Sequence, residues 1–438
     1  MSEVPEGQIR IEDKVYSAEK LSKLHPGGPV FIKAFSGRDA SQAFLSYHRR
    51  NFPHGSKPAK ESFLLQDKSI KYTTKDNDDF LDLCSRVEKI LPRSKAFAPW
   101  HYYLKAIIIL GAAFSLEFYI HFTGSYIWYL TAVLGFVFAL IGLNIQHDAN
   151  HGTISRRAWV NRLFGKSQNW IGGSTVSWIH QHVVQHHVHT NDLELDPDIA
   201  IEFYIRLNPR HPLLKFHVFQ YIYFFLIAAL FGLQKIMTSL GDVLSWHHYT
   251  PIANELRKYA WEEWIFTVVY IIRWVVLPFF MVAPGQAVNY VFSWVVMNMV
   301  MGYYLSFFFT ISHNFEGVEK HEDTRRPVNA HKSFLYNQVA ASSNVAGFWL
   351  AILNGGLNYQ IEHHLFPRIN HTHYYYIAPV VRQFCEERKI PYTHFESVPQ
   401  NVRALVQHLA EMGSNKNFNI EGFVNPSEKV SAKMHIVS

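Results

Sequence analysis

The sequence contains 26 histidines, and several of them stand in groups whose spacing suits metal binding. The first group is His147 and His151, within the segment His-Asp-Ala-Asn-His. Two imidazoles four residues apart on a helix lie on one face and converge on one point. A single pair of this kind is more often a polar surface or a hydrogen-bonded core pair, so its interpretation depends on the other groups.

The second group is His182, His186 and His187. On an α-helix the first two share a face, and the third projects about 100° away. Three imidazoles that point in two directions in this way can bind two metal ions. His180 and His189 flank the group outside this pattern and are interpreted as supporting or surface residues.

The third group is Gln360, His363 and His364. Gln360 precedes the two histidines by three and four residues, so its side chain is expected between theirs. His313, at the end of an apolar run, is a further candidate ligand. Its alternative role is that of a histidine that caps a helix end. Together, the three groups predict a shared metal site.

A haem site is predicted near the N-terminus. His25 opens the turn His-Pro-Gly-Gly, and His48 follows on the other side of residues 37–40. Two imidazoles can ligate haem iron from both faces, which leaves the iron able only to pass electrons. The Pro-Gly-Gly turn lets the backbone approach the edge of the ring. A turn histidine and an unrelated surface histidine would not explain why these features occur together.

Iron is the metal expected at the three histidine groups. Cys84 and Cys385 are the only cysteines and lie far apart in sequence, so a thiolate site is excluded. Glu-x-x-His motifs of carboxylate-rich di-iron proteins are absent from the apolar runs. A haem module that supplies single electrons favours iron over zinc.

Four apolar runs are long enough to cross the hydrocarbon core of a bilayer, which takes about 20 residues. They are 104–123, 126–146, 264–284 and 288–311. A fifth run, 218–233, has only about 16 residues and is predicted to lie in the membrane interface.

Charge predicts which side of the membrane the histidine groups occupy. The turns that close the two hairpins, 124–125 and 285–287, are uncharged, whereas Lys and Arg lie beyond the other ends of the spans. The positive-inside rule then puts these turns in the lumen, and both termini and the histidine groups in the cytosol. This topology accounts for the net charge of +6, and no basic aromatic stripe indicates a nucleic-acid partner.

Two charged residues, Glu117 and Arg273, interrupt the spans. Charges within a membrane are by default paired or functional. Either these two pair with each other, or each lies near the end of a span and extends to water.

The chain is predicted to divide into four parts. Residues 1–75 form a small soluble haem-binding domain, and residues 76–99 form a charged linker that ends in an interfacial helix. Residues 100–411 form the membrane domain, and the polar tail 412–438 is expected to be disordered. The first residues lack a positively charged segment leading into an apolar core, so no secretory signal is predicted there.

Residues 8–72, with HPGG beginning at His25, resemble cytochrome b5. With HDANH, QHVVQHH and QIEHH following in this order, nearly the whole chain resembles the front-end fatty acyl desaturases that carry a fused cytochrome b5 domain. Gln360, in place of a histidine, distinguishes front-end enzymes from the stearoyl type. The resemblance implies a mainly α fold: four transmembrane helices with a cytosolic helical cap, preceded by a small α+β cytochrome b5-like domain.

The resemblance also implies a centre of two non-haem irons, haem b, and O2 as co-substrate. Gln360 would lie at or next to the metal. The haem ligands would be His25 and His48. The implied non-haem ligands are His147, His151, His182, His186, His187, His313, His363 and His364.

The implied activity is the insertion of a cis double bond between the carboxyl end and an existing double bond of a long-chain polyunsaturated acyl chain. The substrate would be a CoA ester or a glycerolipid. The motifs favour the Δ5 position; Δ4 or Δ6 desaturation, or a sphingolipid long-chain-base desaturase or hydroxylase, are alternatives. A non-catalytic haem protein or a zinc transporter would instead place its ligands at mid-bilayer.

The resemblance further implies a multi-pass protein of the endoplasmic reticulum membrane. The chain carries no nucleotide-binding glycine fingerprint. Electrons are therefore expected from NADH through a separate cytochrome b5 reductase.

Overall fold

The computed structural model describes residues 4–12, 14–50, 65–66, 77–192, 195–199, 203–209, 211–245, 254–318 and 333–414. Most of these residues are helical, and the strands form one small N-terminal sheet and one two-stranded ladder. The predicted mainly α fold with a small α+β region at its start is confirmed. From residue 415 onwards, the tail predicted to be disordered lies outside the described residues.

The N-terminal sheet has four short strands in the order β3-β1-β2-β4. They are β1 (Gln8–Ile11), β2 (Lys14–Ser17), β3 (Arg38–Asp39) and β4 (Leu65–Gln66). β1 and β2 form an antiparallel hairpin, and β3 pairs with β1 in parallel. The alternation of the strand buries Ile9 and Ile11 on one face.

Three helices complete the N-terminal module: α1 (Ala18–Leu24), α2 (Pro29–Ala34) and α3 (Ser41–His48). The Ser17 hydroxyl accepts the Lys20 N–H and caps the start of α1. Pro29 fixes the first turn of α2. The His-Pro-Gly-Gly turn therefore lies between α1 and α2, and His48 is the last residue of α3.

The remaining helices, in chain order, are α4 (Asp78–Ile90), α5 (Trp100–Thr123), α6 (Trp128–Ile141), α7 (His147–Asn150), α8 (Ala158–Gly165), α9 (Ser167–Trp170), α10 (Thr175–Trp178), α11 (Gln220–Ser245), α12 (Ala260–Ile271), α13 (Leu277–Met281), α14 (Ala287–His313), α15 (Phe334–Ala340), α16 (Phe348–Asn354), α17 (Gln360–Leu365), α18 (Tyr374–Arg388) and α19 (Val398–Met412). A short parallel ladder joins β5 (Ser343–Val345) to β6 (Thr393–Phe395). Three π-helical segments extend the helices: Gly142–Gln146 joins α6 to α7, Ile179–His186 continues α10, and Ile272–Val276 joins α12 to α13.

The segment 76–99 contains a packed helix where the sequence predicted a linker. Phe80, Leu83 and Val87 of α4 are fully buried in an apolar cluster that includes residues of α17 and α18. These side chains recur every three to four residues and so form one helix face. Of the charged residues that indicated a linker, Asp78, Asp79 and Lys89 lie on the opposite, exposed face of the same helix.

Five helical stretches are long and apolar enough to cross a membrane. They are Arg93–Thr123, Trp128–Asn150, Lys215–Ser245, Leu256–Met281 and Ala287–His313. Four of them overlap the four predicted spans. Large apolar side chains on their outer surfaces are exposed, among them Ile107, Phe118 and Phe279, as lipid contact requires. The chain is therefore a multi-pass membrane protein.

The fifth stretch contains the run that the sequence predicted to lie in the membrane interface because of its shortness, but the helix extends beyond this run and is long and apolar enough to cross. α11 continues for 26 residues, to Ser245. The apolar run ends in the sequence at Gln234 and Lys235. In the fold, the Lys235 ammonium donates to the side-chain oxygen of Gln181 at 3.0 Å, and this partner lets the helix continue past the polar residues.

Glycines allow α14 to pack closely between α6 and α11. Gly302 of α14 lies directly against the backbone of Gly232, and Gly135 of α6 lies against the carbonyl of Met297. A Cβ atom at any of the three glycines would overlap backbone atoms of the partner helix. Such small residues let membrane helices approach and gain van der Waals contact. The helix that ends at His313 is thereby fixed against its neighbours.

Glu117 and Arg273 form an ion pair between the two hairpins. The Arg273 guanidinium donates to both carboxylate oxygens of Glu117, at 2.6 and 2.7 Å. Its Cζ lies 3.6 Å from the centre of the Trp170 ring. Both charged residues are buried, so the prediction of a pair is confirmed and the alternative of separate contact with water was wrong.

The two predicted hairpin turns lie at one end of the bundle. Gly124, in the first turn, packs against the carbonyl of Met281, which closes α13 just before the second turn. The spans lead in the opposite direction to His147 and His313. The histidine groups therefore share the other end, as their order along the chain predicted.

The N-terminal module packs against the membrane domain. Ile9, Ile11 and Phe35 of the module share one apolar cluster with Ile179 and Val183 of the second π-helical segment. This segment carries the second histidine group. The module is thus held directly beside the predicted metal site.

Candidate metal centre and haem cavity

Four buried imidazoles converge from three parts of the chain. His147 begins α7 and His151 follows its end, His182 lies in the second π-helical segment, and His363 lies in α17. One ligand nitrogen of each lies within 4.8 Å of those of the other three. We call these four residues the first metal group.

A second metal group consists of His186, His313 and His364, whose ligand nitrogens also lie within 4.8 Å of one another. His313 reaches the group because α14 ends there. The second and third sequence groups are therefore each divided between two metal groups. His182 lies in the first metal group and His186 lies in the second, so this histidine segment faces two metal groups.

The internal geometry of that segment differs from the prediction. The segment Ile179–His186 is π-helical, and the His187 N–H donates to the His182 carbonyl, five residues earlier. A π-helix hydrogen-bonds residues five apart, where an α-helix hydrogen-bonds residues four apart. The Nε2 atom of His187 lies 3.2 Å from His182 Nε2, and the rings of His182 and His186 stack with their centres 5.3 Å apart. The helix type therefore differs from the α-helix that the prediction assumed.

Five of the imidazoles have a partner at Nδ1, on the side away from the metal groups. The pairs are His151 with the Tyr47 hydroxyl at 2.8 Å, His186 with Asp196 at 3.1 Å, His313 with the Ala341 carbonyl at 2.9 Å, His363 with the Tyr374 hydroxyl at 3.0 Å and His364 with Gln338 Oε1 at 2.9 Å. Such partners fix the ring orientation and leave Nε2 as the metal-binding nitrogen.

The inward-facing nitrogens fit metal ions. Nε2 of His187 lies 3.2 Å from that of His182 and 3.0 Å from that of His363. Both ring nitrogens of His147, and Nε2 of His151, are buried without a hydrogen-bond partner in the described part of the chain. Buried nitrogens normally have partners, and a cation among converging lone pairs would satisfy them. Imidazole suits iron as well as other first-row metals.

Electrostatics keeps most of these imidazoles neutral, the form that binds metals. Burial lowers the pKa of five of them well below its usual value, and neighbouring imidazoles add to the shift. These are His151, His182, His187, His363 and His364. Burial also lowers the pKa of His186, but the carboxylates of Asp196 and Asp198 together outweigh it and raise this pKa to about 9. Negative charge therefore lies next to Nδ1 of His186, on the side of this ring that faces away from the second metal group.

Gln360 belongs to the second metal group. Its side-chain nitrogen lies 2.9 Å from His313 Nε2 and 3.2 Å from His364 Nε2, whereas the sequence predicted a place between His363 and His364. Its Oε1 atom is buried without a partner among the described residues. The two ends of an amide exchange by rotation, so this side chain can offer oxygen to a cation.

A glycine turn brings α17 to the site. Gly355 ends α16 with φ of +65° and lies against the carbonyl of Leu143, where a Cβ would overlap. Glu362 of α17 accepts hydrogen bonds from the Asn344 amide at 2.7 Å and the Tyr392 hydroxyl at 2.9 Å. These contacts hold the third sequence group against the helix that leads to the first.

Sequence reasoning missed several residues that hold the ligands. His371 has no matching spacing in the sequence, yet its Nδ1 lies 2.5 Å from Asp148, and its Nε2 accepts from the Lys105 ammonium at 2.8 Å. Asp196 and Tyr374 also stand outside the histidine patterns. The one available signal was the position of Asp148 inside the first group.

His25 and His48 face each other across a cavity lined mainly by apolar side chains. Their Nδ1 atoms lie 3.0 Å from the carbonyls of Gly28 and Phe44, which leaves Nε2 of each for a metal. With metal–nitrogen bonds of about 2 Å, two rings on opposite faces of one iron have centres about 6 Å apart. The observed separation is 6.0 Å, and burial lowers the pKa of His48 to about 4. The pair therefore fits a haem iron.

Both parts of the chain line this haem cavity. Phe31 and Tyr47 come from the N-terminal module, and His151, Val183 and Arg368 come from the membrane domain. His151 thus belongs both to the cavity wall and to the first metal group. The haem cavity and the metal centre are neighbours.

The chain matches two known families. Residues 123–396 match "Fatty acid desaturase", and residues 6–92 match "Cytochrome b5-like Heme/Steroid binding domain". The chain belongs to the fatty acid desaturase family and carries an N-terminal cytochrome b5-like domain. The predicted class of oxygen-dependent desaturase is confirmed. The two families imply iron and haem, which the metal groups and the haem cavity fit.

Named relatives align along almost the whole chain. The acyl-lipid (7-3)-desaturases of Diacronema lutheri and Rebecca salina are 39% and 38% identical to it, over 92% of this chain and 90% of theirs. The acyl-lipid (8-3)-desaturase of Physcomitrium patens is 28% identical over 93% of this chain and 88% of its own. The similarity therefore covers the haem module and the membrane domain together.

Proposed function

We propose that this chain is a front-end acyl-lipid desaturase. It inserts a cis double bond between the carboxyl end and an existing double bond of a long-chain polyunsaturated acyl chain. The observation that carries the proposal is the pair of buried metal groups, with Gln360 in the second, directly beside a haem cavity in the same chain. The similarity to acyl-lipid desaturases over nearly the full length supports it.

In this proposal each metal group holds one iron. The ligands of the first iron are His147, His151, His182 and His363, and those of the second are His186, His313 and His364. His187 lies between the groups, and Gln360 contributes its amide to the second. The partners at Nδ1 hold the imidazoles with Nε2 directed inward.

Iron bound at these groups supplies the oxygen-dependent oxidation that removes two hydrogens from adjacent methylenes. The protein contributes orientation and the exclusion of water. All of the assigned ligands are buried, and a dry site prevents side reactions with solvent.

The N-terminal module supplies the electrons in this scheme. If His25 and His48 hold a haem, this group would supply electrons one at a time to the metal centre. We assign the source of these electrons to NADH, through a separate cytochrome b5 reductase.

Two outcomes are proposed for the position of the new double bond. The designation (7-3) of the relatives at 38% and 39% identity favours chains whose first double bond is at carbon 7. A new bond three carbons nearer the carboxyl end would then be Δ4. The Δ5 position favoured by the sequence motifs is the second candidate, and the (8-3) relative at 28% identity supports it.

Product analysis in yeast tests these proposals. Cells that express the chain are fed separately with polyunsaturated acids whose first double bond is at carbon 7 or carbon 8, and their fatty acids are derivatised and analysed by mass spectrometry. We expect a new Δ4 bond in the first acid, and the second candidate predicts Δ5 in the second. Short labelling, with glycerolipids and acyl-CoA separated, is expected to show the product first in glycerolipid.

The matched control is His186→Ala at equal protein level and equal haem absorbance. This variant is expected to yield no product, because the second iron loses a ligand. A hydroxylated product, or desaturation by the variant, would refute the proposed function.

We further propose that the protein lies in the endoplasmic reticulum membrane, with both termini and the metal centre in the cytosol. Both metal groups and the haem module lie at the same end of the helix bundle. They are therefore expected on the same side of the membrane. Protease accessibility of terminal tags in sealed microsomes tests this orientation. Protection of either tag would contradict it.

A further inference from the structure

Tyr47 connects the haem cavity to the metal centre. It lines the cavity and precedes the haem ligand His48 in α3. Its hydroxyl oxygen lies 2.8 Å from Nδ1 of His151, and the two rings are close to parallel, with centres 6.4 Å apart. The Nε2 atom of His151 lies in the first metal group. One side chain therefore borders the haem cavity and contacts an assigned iron ligand.

The chemistry of this contact follows from the role of His151. When its Nε2 binds a metal, Nδ1 carries the ring proton and donates it in a hydrogen bond to the Tyr47 oxygen. The corresponding partners of the other four imidazoles all belong to the membrane domain. These are Asp196, Gln338, Ala341 and Tyr374. His151 differs from these four because its partner comes from the haem module.

The hydroxyl of Tyr47 is separable from the docking of the module. Docking depends on the apolar cluster that joins Ile9 and Phe35 to Ile179 and Val183. The Tyr47 ring packs against this cluster and lies 5.9 Å from the ring of Phe31. Phenylalanine keeps the ring and removes only the oxygen, so the variant Tyr47→Phe isolates the hydrogen bond.

We propose that Tyr47 is a positioning residue that couples the haem to the non-haem irons through its hydrogen bond with His151. This inference rests on the proposed function. In the transfer, the ferrous haem loses one electron and a ferric ion at the first metal group gains it. Tyr47 keeps its proton and serves as the bridge between the two centres.

Electron transfer within the holoenzyme tests the proposal without an acyl substrate. The haem of the ferric protein is reduced by a flash with an external flavin under argon, and its reoxidation is followed by absorbance. Loss of a hydrogen-bonding partner of a metal ligand typically costs about 10- to 100-fold in function, so Tyr47→Phe is expected to slow haem reoxidation at least about 10-fold. Its haem spectrum, haem potential and non-haem iron content are expected to match the wild type.

The matched control is Tyr103→Phe. This variant also loses a tyrosine hydroxyl, but the hydrogen bond removed is to the backbone carbonyl of Ile154, at 3.1 Å. Its haem is expected to reoxidise at the wild-type rate. A control slowed as much as Tyr47→Phe would overturn the proposal, because the effect would then not be specific to the bridge.

Two further results would also overturn it. One is a wild-type rate in Tyr47→Phe. The other is slow reoxidation together with lost non-haem iron, since Tyr47 would then only support a ligand. A wild type that transfers the electron normally but forms no desaturated product would refute the proposed function and leave this inference standing.

Discussion

Asp196 shows how far the metal site extends beyond its ligands. Its carboxylate lies 3.1 Å from Nδ1 of His186 and accepts the backbone N–H of Asn191 at 2.7 Å. A carboxylate held in this way orients the imidazole and strengthens its donation to a metal. Each well-placed imidazole in this centre depends on such a partner, and most of these partners lie far from the histidine groups in sequence.

We predict that Asp196→Asn weakens the binding of non-haem iron about 10- to 100-fold, because the orienting negative charge is lost. Iron content after dialysis against graded chelator measures the effect, and the haem absorbance should stay unchanged. The control is Asp79→Asn, which replaces an exposed carboxylate paired with Arg388 at 3.0 Å. Wild-type iron retention in Asp196→Asn would show that the carboxylate does not support the ligand.

At the scale of helices, the site depends on close packing of α14 and on the π-helical segments. α14 delivers His313 to the second metal group, and its contact with α11 requires glycine at both Gly302 and Gly232. The segment Ile179–His186 adds a wider turn that pairs His187 with His182. Small changes in helix packing therefore move ligands that belong to different helices.

We predict that Gly302→Ala lowers the free energy of unfolding by about 1–3 kcal/mol, because the new methyl group overlaps the backbone of α11. Gly241→Ala is the matched control in the same helix pair, since a Cβ there meets nothing within 4 Å. The control should gain about 0.5–1 kcal/mol from the usual preference for alanine within a helix. Thermal unfolding in detergent compares the two, and equal effects would contradict the packing argument.

For the whole molecule, the fold places the haem cavity beside the two metal groups. The haem cavity is lined by both parts of the chain, and His151 borders the cavity and belongs to the first metal group. A separate electron carrier would have to find its docking site by diffusion. Here the apolar contact between the haem module and the second π-helical segment fixes the two sites at one separation.

We predict that His48→Ala loses the haem absorbance and NADH-supported desaturation but keeps its non-haem iron, because His48 is not part of either metal group. The control is His101→Ala, whose side chain is exposed at the start of α5. Haem spectra, iron content and product yield are measured on the same preparations. NADH-supported desaturation by haem-free protein would show that electrons reach the metal centre by another route.

Features that depend on residues close together in the chain, such as apolar spans and histidine pairs on one helix, could be predicted from the sequence. Apolar runs of bilayer length predicted four spans, each of which overlaps a long apolar helix. The spacing of His147 and His151 predicted that their imidazoles lie together, and the His-Pro-Gly-Gly turn and His48 predicted two histidines that face each other. These placements could be predicted because hydropathy and helical spacing act over one turn or one span.

The division of ligands between two metal groups was decided only by the tertiary structure. The sequence could not show that a π-helical turn pairs His187 with His182, because that turn depends on packing. Nor could it show that His371 contacts Asp148 or that Tyr47 contacts His151, since each pair is more than 100 residues apart. Contacts between distant residues follow from how the helices pack, and the spacing of residues along the chain carries no record of them.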